Sequence, residues 1–132
     1  MSDLNETFFT SIGCMDGRVQ DAIAEYGRNK YGVKYADTIT EAGIVGILAN
    51  NPSKEFLEDL KKKVLISVEK HHSKGILVHG HQECAGNPVE DEKHKEDTLA
   101  AAREIRNFVS EDLEVKPMFV VKEENNWIAE EI

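Results

Sequence analysis

Cysteine is scarce: Cys14 and Cys84 are the only two in 132 residues. In a secreted mini-protein such a pair would suggest a disulfide, whereas in a reducing compartment it points to metal binding or catalysis. Proline and tryptophan are also few, at three and one, and neither an internal repeat, a low-complexity segment nor a linker breaks the chain. Long apolar runs are missing too. No stretch approaches the roughly 20 apolar residues a spanning helix needs. Met1 to Thr7 is polar and acidic, so a secretory leader is not expected and a cytoplasmic location is the default. Basic charge is in deficit, with 16 Lys and Arg against 25 Asp and Glu, a net charge of −9. That balance argues against a nucleic-acid backbone or an anionic membrane as partner.

What is present suits a single globular domain over residues 1–132. The chain is 40% hydrophobic and 31% charged, and its length permits a modest core. Phe8 to Gly13 is a β-prone run ending at Cys14. Val19, Ile23 and Tyr26 place one face of a helix over Val19 to Tyr31. Asp37 to Thr40 reads as a weaker strand, and a small apolar segment, Glu41 to Leu48, follows it. Ser53 is the expected N-cap of a helix carrying Phe56, Leu57, Leu60, Val64 and Val68. Gly75 to Gly80 is the clearest strand, a continuous apolar run with a glycine at each end.

A charged stretch, Glu90 to His94, then leads into a helix expected over 97–109, with Leu99, Ala102, Ile105 and Val109 at helical spacing. Val115 to Val121 closes as a fourth strand, with Pro117 tolerated near its start or on an edge. Trp127 and Ile128 are expected to pack a short C-terminal segment onto the body or onto a second subunit. The alternation of strands and helices predicts an α/β fold: a mostly parallel four-stranded central sheet with helices on both faces.

In such sheets, sites form at the carboxyl ends of strands, where strand order reverses. Cys14 follows the first inferred strand and His81 follows the third, so both belong to the same sheet edge. His81-Gln82-Glu83-Cys84 adds a second thiol three residues from the imidazole, a spacing at which one tight turn can grip a single ion. Two sulfurs and one nitrogen suit zinc, which takes four tetrahedral ligands and in catalytic sites leaves one position open. Asp16 and Arg18, an acid and a base two residues apart, stand directly after Cys14.

Cys14-Met15-Asp16-Gly17-Arg18 resembles the C-x-D-x-R signature of the β-class carbonic anhydrases. Val78-His79-Gly80-His81-Gln82-Glu83-Cys84-Ala85-Gly86 resembles that family's second signature, a strand ending in G-H-x-x-C before a glycine. Their order and their separation of more than sixty residues agree as well. The resemblance implies a β-carbonic anhydrase-like fold and a Zn2+ cofactor held by Cys14, His81 and Cys84. It makes Asp16 and Arg18 a hydrogen-bonded catalytic dyad that orients a zinc-bound hydroxide, with Asp16 as a possible fourth ligand in a closed form. The implied activity is a lyase reaction, reversible hydration of carbon dioxide to bicarbonate, in a homodimer or higher homo-oligomer.

Several positions depart from that pattern. Thr40-Glu41 precede Ala42-Gly43 where the family usually carries an arginine-asparagine pair. The helical arm that wraps a partner subunit has no room ahead of Phe8, and no counterpart of the family's glutamine-bearing pocket segment is found. Alternatives on the same residues are a hydrolase acting on carbonyl sulfide or carbon disulfide, and a non-catalytic zinc-binding or sensing module. A cysteine phosphatase would need an arginine at position 20, which is Gln20, and thioredoxin-like chemistry would need a C-x-x-C pair. Among the other histidines, His71 and His72 are expected as solvated charges, His79 as facing the core or a helix, and His94 as part of a solvated loop, its alternative being a proton shuttle. Gly43 to Gly46 reads as a core helix, not a dinucleotide fingerprint. Ala85 to Pro88 is expected as a turn whose exposed amides suit a small anion such as bicarbonate.

Overall fold

The computed structural model describes residues 5–132. Five strands form one sheet: β1 (Phe8–Gly13), β2 (Tyr35–Thr40), β3 (Ile76–His81), β4 (Val115–Glu123) and β5 (Asn126–Glu131). Their spatial order is β2-β1-β3-β4-β5; the first four strands are parallel and β5 runs antiparallel to β4. The helices are α1 (Gln20–Tyr31), α2 (Ile44–Ala49), α3 (Lys54–Leu65) and α4 (Asp91–Arg106), and a π-helical turn, Ile66–Lys70, extends α3. Among the described residues, no helix is long and apolar enough to cross a membrane.

Period-two alternation divides the core between the two faces of the sheet. Phe9, Leu77, Met118 and Val120 join Val19, Ile23 and Val33 on the α1 side. Ile12, Ile76 and Val78 meet Ile44, Leu48, Leu60, Val64, Ala101 and Ile105 on the side of α2, α3 and α4. A strand covered on both faces reads as an unbroken apolar run, which is why β3 is the clearest strand in the sequence. Ser53 caps α3 as expected, its hydroxyl accepting from the Phe56 N–H at 3.1 Å.

Three features differ from the sequence reading. The C-terminal segment is a fifth strand: a two-residue turn at Glu124-Asn125, with Glu124 at φ +57°, folds Trp127 and Ala129 back onto the α1-side cluster. That strand covers β4, so Pro117 lies near the start of an interior strand, not on an edge. Helix α4 begins at Asp91, and its inward stripe is His94, Asp97, Thr98, Ala101, Ala102 and Ile105. Half of that stripe is polar, so an apolar pattern does not reveal it, and Leu99 lies toward solvent instead. His94 is thereby buried rather than in a solvated loop.

Candidate metal centre

Strand order reverses between β1 and β3, and both strands end at the same edge of the sheet. Cys14 follows β1 directly, His81 is the last residue of β3, and Cys84 closes the turn beyond it. All three are buried, and their candidate ligand atoms lie within 4.8 Å of one another. The two sulfurs are 3.8 Å apart and unlinked. Sulfurs each ~2.3 Å from one tetrahedral zinc would lie roughly 3.8 Å apart.

The imidazole is prepared for the same ligand. His81 Nδ1 is 2.7 Å from the Gln82 carbonyl oxygen, which can only accept, so Nδ1 carries the proton. Nε2 is left with a free lone pair, buried and without a hydrogen-bond partner. A backbone carbonyl fixing the far nitrogen is the usual support of a metal-bound histidine. Burial also lowers the pKa of His81, which favours the neutral, ligating form. The set of two thiols and one orphaned nitrogen therefore fits zinc.

Backbone N–H groups converge on the sulfurs. Gly43 N–H points to Cys14 Sγ at 3.4 Å. Burial pushes the Cys84 thiol up, as does neighbouring Cys14, while the N–H groups of Asn87 and Gly86 oppose both by favouring the thiolate. The loop amides thus face sulfur, not solvent as the sequence reading expected of an anion site. Gly43 and Gly86 make this convergence possible. A Cβ on Gly43, whose φ is +61°, would fall 2.3 Å from the Gly86 carbonyl oxygen, and one on Gly86 would fall 2.6 Å from the Gly43 nitrogen.

Asp16 and Arg18 meet beside the cluster. Arg18 donates to Asp16 Oδ1 from its backbone N–H at 2.9 Å and from Nε at 3.0 Å, and to Oδ2 from Nη2 at 2.7 Å. The side-chain hydrogen bonds from Arg18 bring the Asp16 carboxyl down to about 2, against a smaller opposing effect of burial. Arg18 is held on its other side. Nη1 donates to Glu83 Oε1 at 3.0 Å, Nη2 to the Glu83 carbonyl at 3.2 Å, and the guanidinium lies 4.8 Å from the Trp127 ring centre. Glu83 adopts φ +57°, which turns its carbonyl and carboxylate toward Arg18. No pattern in the sequence pointed to Glu83 or Trp127 as partners of Arg18. The first is a position that the H-x-x-C spacing leaves unspecified, and the second lies on the strand that the sequence did not reveal.

The other histidines take separate places. His79 is wholly buried with both ring nitrogens unpartnered. His94 sits 6.1 Å from His81 between ring centres and edge-on to Phe119. His71 was expected as a solvated charge; instead it stacks on Phe8, with Nδ1 2.7 Å from Asp37 Oδ2. Thr40 ends β2, and the Glu41 N–H donates to the Gly13 carbonyl at 3.3 Å, so the departing pair borders the cluster through its backbone.

Solved structures share this architecture. A β-carbonic anhydrase, isoform I, from Trichomonas vaginalis superposes with a TM-score of 0.59 at 18% identity, covering 98% of this chain and 86% of that one. A carbonic anhydrase from Streptococcus mutans gives 0.58 at 16% identity, with the same coverages of 98% and 86%. The β-carbonic anhydrase of Aspergillus fumigatus gives 0.56 at 12% identity, covering 96% and 76%. At these identities the likeness shows the fold. No curated protein matches the chain in sequence. A family profile described as "Putative carbonic anhydrase" matches residues 4–132, and the chain belongs to that family.

Proposed function

We propose that this protein is a zinc-dependent lyase that hydrates carbon dioxide reversibly to bicarbonate. The observation that carries the reading is the buried cluster itself, an imidazole and two thiols with ligand atoms within 4.8 Å of one another and the His81 Nε2 left unpartnered, next to a carboxylate locked by arginine. Cys14 Sγ, His81 Nε2 and Cys84 Sγ would hold the metal. When bound, zinc supplies a Lewis acid that lowers the pKa of coordinated water toward neutrality.

The residues of the chain do the rest. In the forward direction the oxygen of water bonds to the carbon of carbon dioxide, one C=O π bond opens onto oxygen, and a proton leaves. Asp16, ionised throughout the neutral range, can only accept hydrogen bonds. It is too weak a base to take that proton efficiently, because a general base works best with a pKa near the operating pH. Its role is to accept the hydrogen bond of the attacking water and so direct a lone pair at carbon. Arg18 keeps the carboxylate in place through a fork of fixed geometry, and Glu83 and Trp127 keep Arg18 in place in turn.

Stopped-flow hydration with a pH indicator tests the proposal on zinc-loaded protein. The expected result is a rate well above that of free zinc, lowered in Asp16→Ala; a rate no better than free zinc would overturn it. Thr40-Glu41 at the border of the site favours a second reading, hydrolysis of carbonyl sulfide or carbon disulfide, which release of hydrogen sulfide would reveal. A non-catalytic zinc module would instead show four protein ligands at every pH. The free thiols that hold the metal suit a reducing compartment such as the cytoplasm, and the family resemblance supports a homodimer, which light scattering would register.

A further inference from the structure

The loop from Cys84 to Pro88 is anchored by a buried carboxylate that the proposed chemistry does not use. Asp97, on the inward stripe of α4, is 2% exposed. Its Oδ2 accepts from Asn87 Nδ2 at 3.1 Å and its Oδ1 from Lys93 Nζ at 2.8 Å. Withdrawing a carboxylate from water is costly unless its oxygens are met, and a well-packed apolar residue often serves stability equally well or better. Stability alone therefore gives no reason for an aspartate here. Of its two donors, Lys93 is half exposed and lies on α4 itself. Asn87 belongs to the loop that presents Cys84.

Asn87 is wedged from the opposite side as well. A Cβ on Gly46 of α2 would fall 2.6 Å from the Asn87 side chain, so the amide fills that space. One residue back, Gly86 lies against Gly43, whose N–H points to Cys14. The loop thus contacts the surroundings of both thiols, and the Asn87 side chain ties it to α4, while Gln82 Nε2, in the preceding turn, donates to Asp91 Oδ2 at the start of the same helix at 2.8 Å.

We propose that Asp97 and Asn87 form a positioning pair for the metal centre: the buried carboxylate fixes the Asn87 amide and so holds the loop's N–H groups on Cys84 and its backbone against Gly43. This rests on the reading of Cys14, His81 and Cys84 as zinc ligands. Donors directed at a thiolate orient the sulfur and stabilise its charge, and removing such outer partners commonly costs about 10–100-fold in metal affinity. Lys93 satisfies the second oxygen, which leaves Oδ2 committed to Asn87.

The test compares the zinc-loaded parent with Asn87→Ala, with Asp97→Asn, and with the exchanged double variant Asn87→Asp/Asp97→Asn, which rebuilds an amide–carboxylate pair with its ends reversed. Zinc transfer to a chromogenic chelator gives the release rate. The thiolate-to-cobalt charge-transfer band of the Co2+-substituted protein reports sulfur geometry, and far-ultraviolet circular dichroism reports the fold. We expect each single variant to keep its secondary structure, release zinc about tenfold faster or more, and shift the cobalt band, with the exchanged double recovering most of both. Release within about twofold of the parent, an unmoved band, or an exchanged double no better than the single variants would overturn the pair. If Asp97→Asn does not fold, Asn87→Ala decides alone. A parent that fails to bind zinc stoichiometrically would overturn the ligand reading itself, and the pair with it.

Discussion

Gly13 is where the packing of β1 against β3 leaves no room for a side chain, and Gly13→Ala measures that contact. The new Cβ would stand 2.0 Å from His79 Nε2, 2.1 Å from Cε1 and 2.4 Å from Cδ2. The obstacle is the face of a wholly buried ring rather than the end of a flexible chain. Overpacking of this kind costs about 1–3 kcal/mol, and a clash with a rigid ring belongs at the upper end, about 3 kcal/mol. Unfolding entropy of about 2.1 cal/mol/K per residue, over 132 residues, amounts to roughly 0.28 kcal/mol/K. A loss of about 3 kcal/mol then lowers Tm by roughly 11 °C. His79→Ala removes the obstacle along with two unpartnered nitrogens, so the double variant should recover stability, with a coupling of about 2 kcal/mol between the positions. Thermal melts of the four metal-free proteins by circular dichroism complete the cycle. A Gly13→Ala protein melting within about 2 °C of the parent, or a double variant whose loss equals the sum of the two single losses, would refute the packing of His79 on Gly13.

Three further outcomes follow from the same contacts. Burial, and secondarily the charge of His81, lowers His79 to about 3. The folded value lies below the unfolded one, so its contribution to stability is complete above about 6.5 and fades as pH falls toward about 3. Urea midpoints at neutral and mildly acidic pH should therefore fall further in the parent than in His79→Ala, and parallel losses would contradict this. In Arg18→Gln the Asp16 carboxyl should rise from about 2 toward its ordinary value of 3.8, as read by carbon-13 NMR; an unchanged midpoint would show that Arg18 is not its main partner. Ser53→Ala removes the cap on Phe56 N–H and should cost about 1 kcal/mol, or roughly 4 °C in Tm. An unchanged melting temperature would mean that another group satisfies that N–H.

Much of this molecule could be read from its residues, and the remainder was hidden for specific reasons. Helical spacing located α1 and α3, because each buries one face of a helix, and short apolar or β-prone runs located β1, β3 and β4, whose strands are packed from both sides. Strand β5 was missed because its hairpin turns at Glu124-Asn125, without the glycine that usually marks a two-residue turn. The start of α4 was missed because its inward face opens with His94, Asp97 and Thr98, whose burial depends on tertiary partners no local pattern records. At the Cys14–His81–Cys84 cluster, which the fold brings together, the residue types and their spacing were legible in the sequence. The contacts around them were not, since Glu83, Trp127, Asn87 and Asp97 act through positions that only the folded loop and sheet bring together.

The most direct test of the metal centre is anomalous diffraction at the zinc edge from crystals of the zinc-loaded protein. One ion is expected, bonded to Cys14 Sγ, Cys84 Sγ and His81 Nε2, with His81 Nδ1 still on the Gln82 carbonyl and Asp16 or water completing the tetrahedron. A Cys14–Cys84 disulfide, zinc bound through Nδ1 of His81, or an ion bound elsewhere with these three side chains unliganded would contradict the assignment.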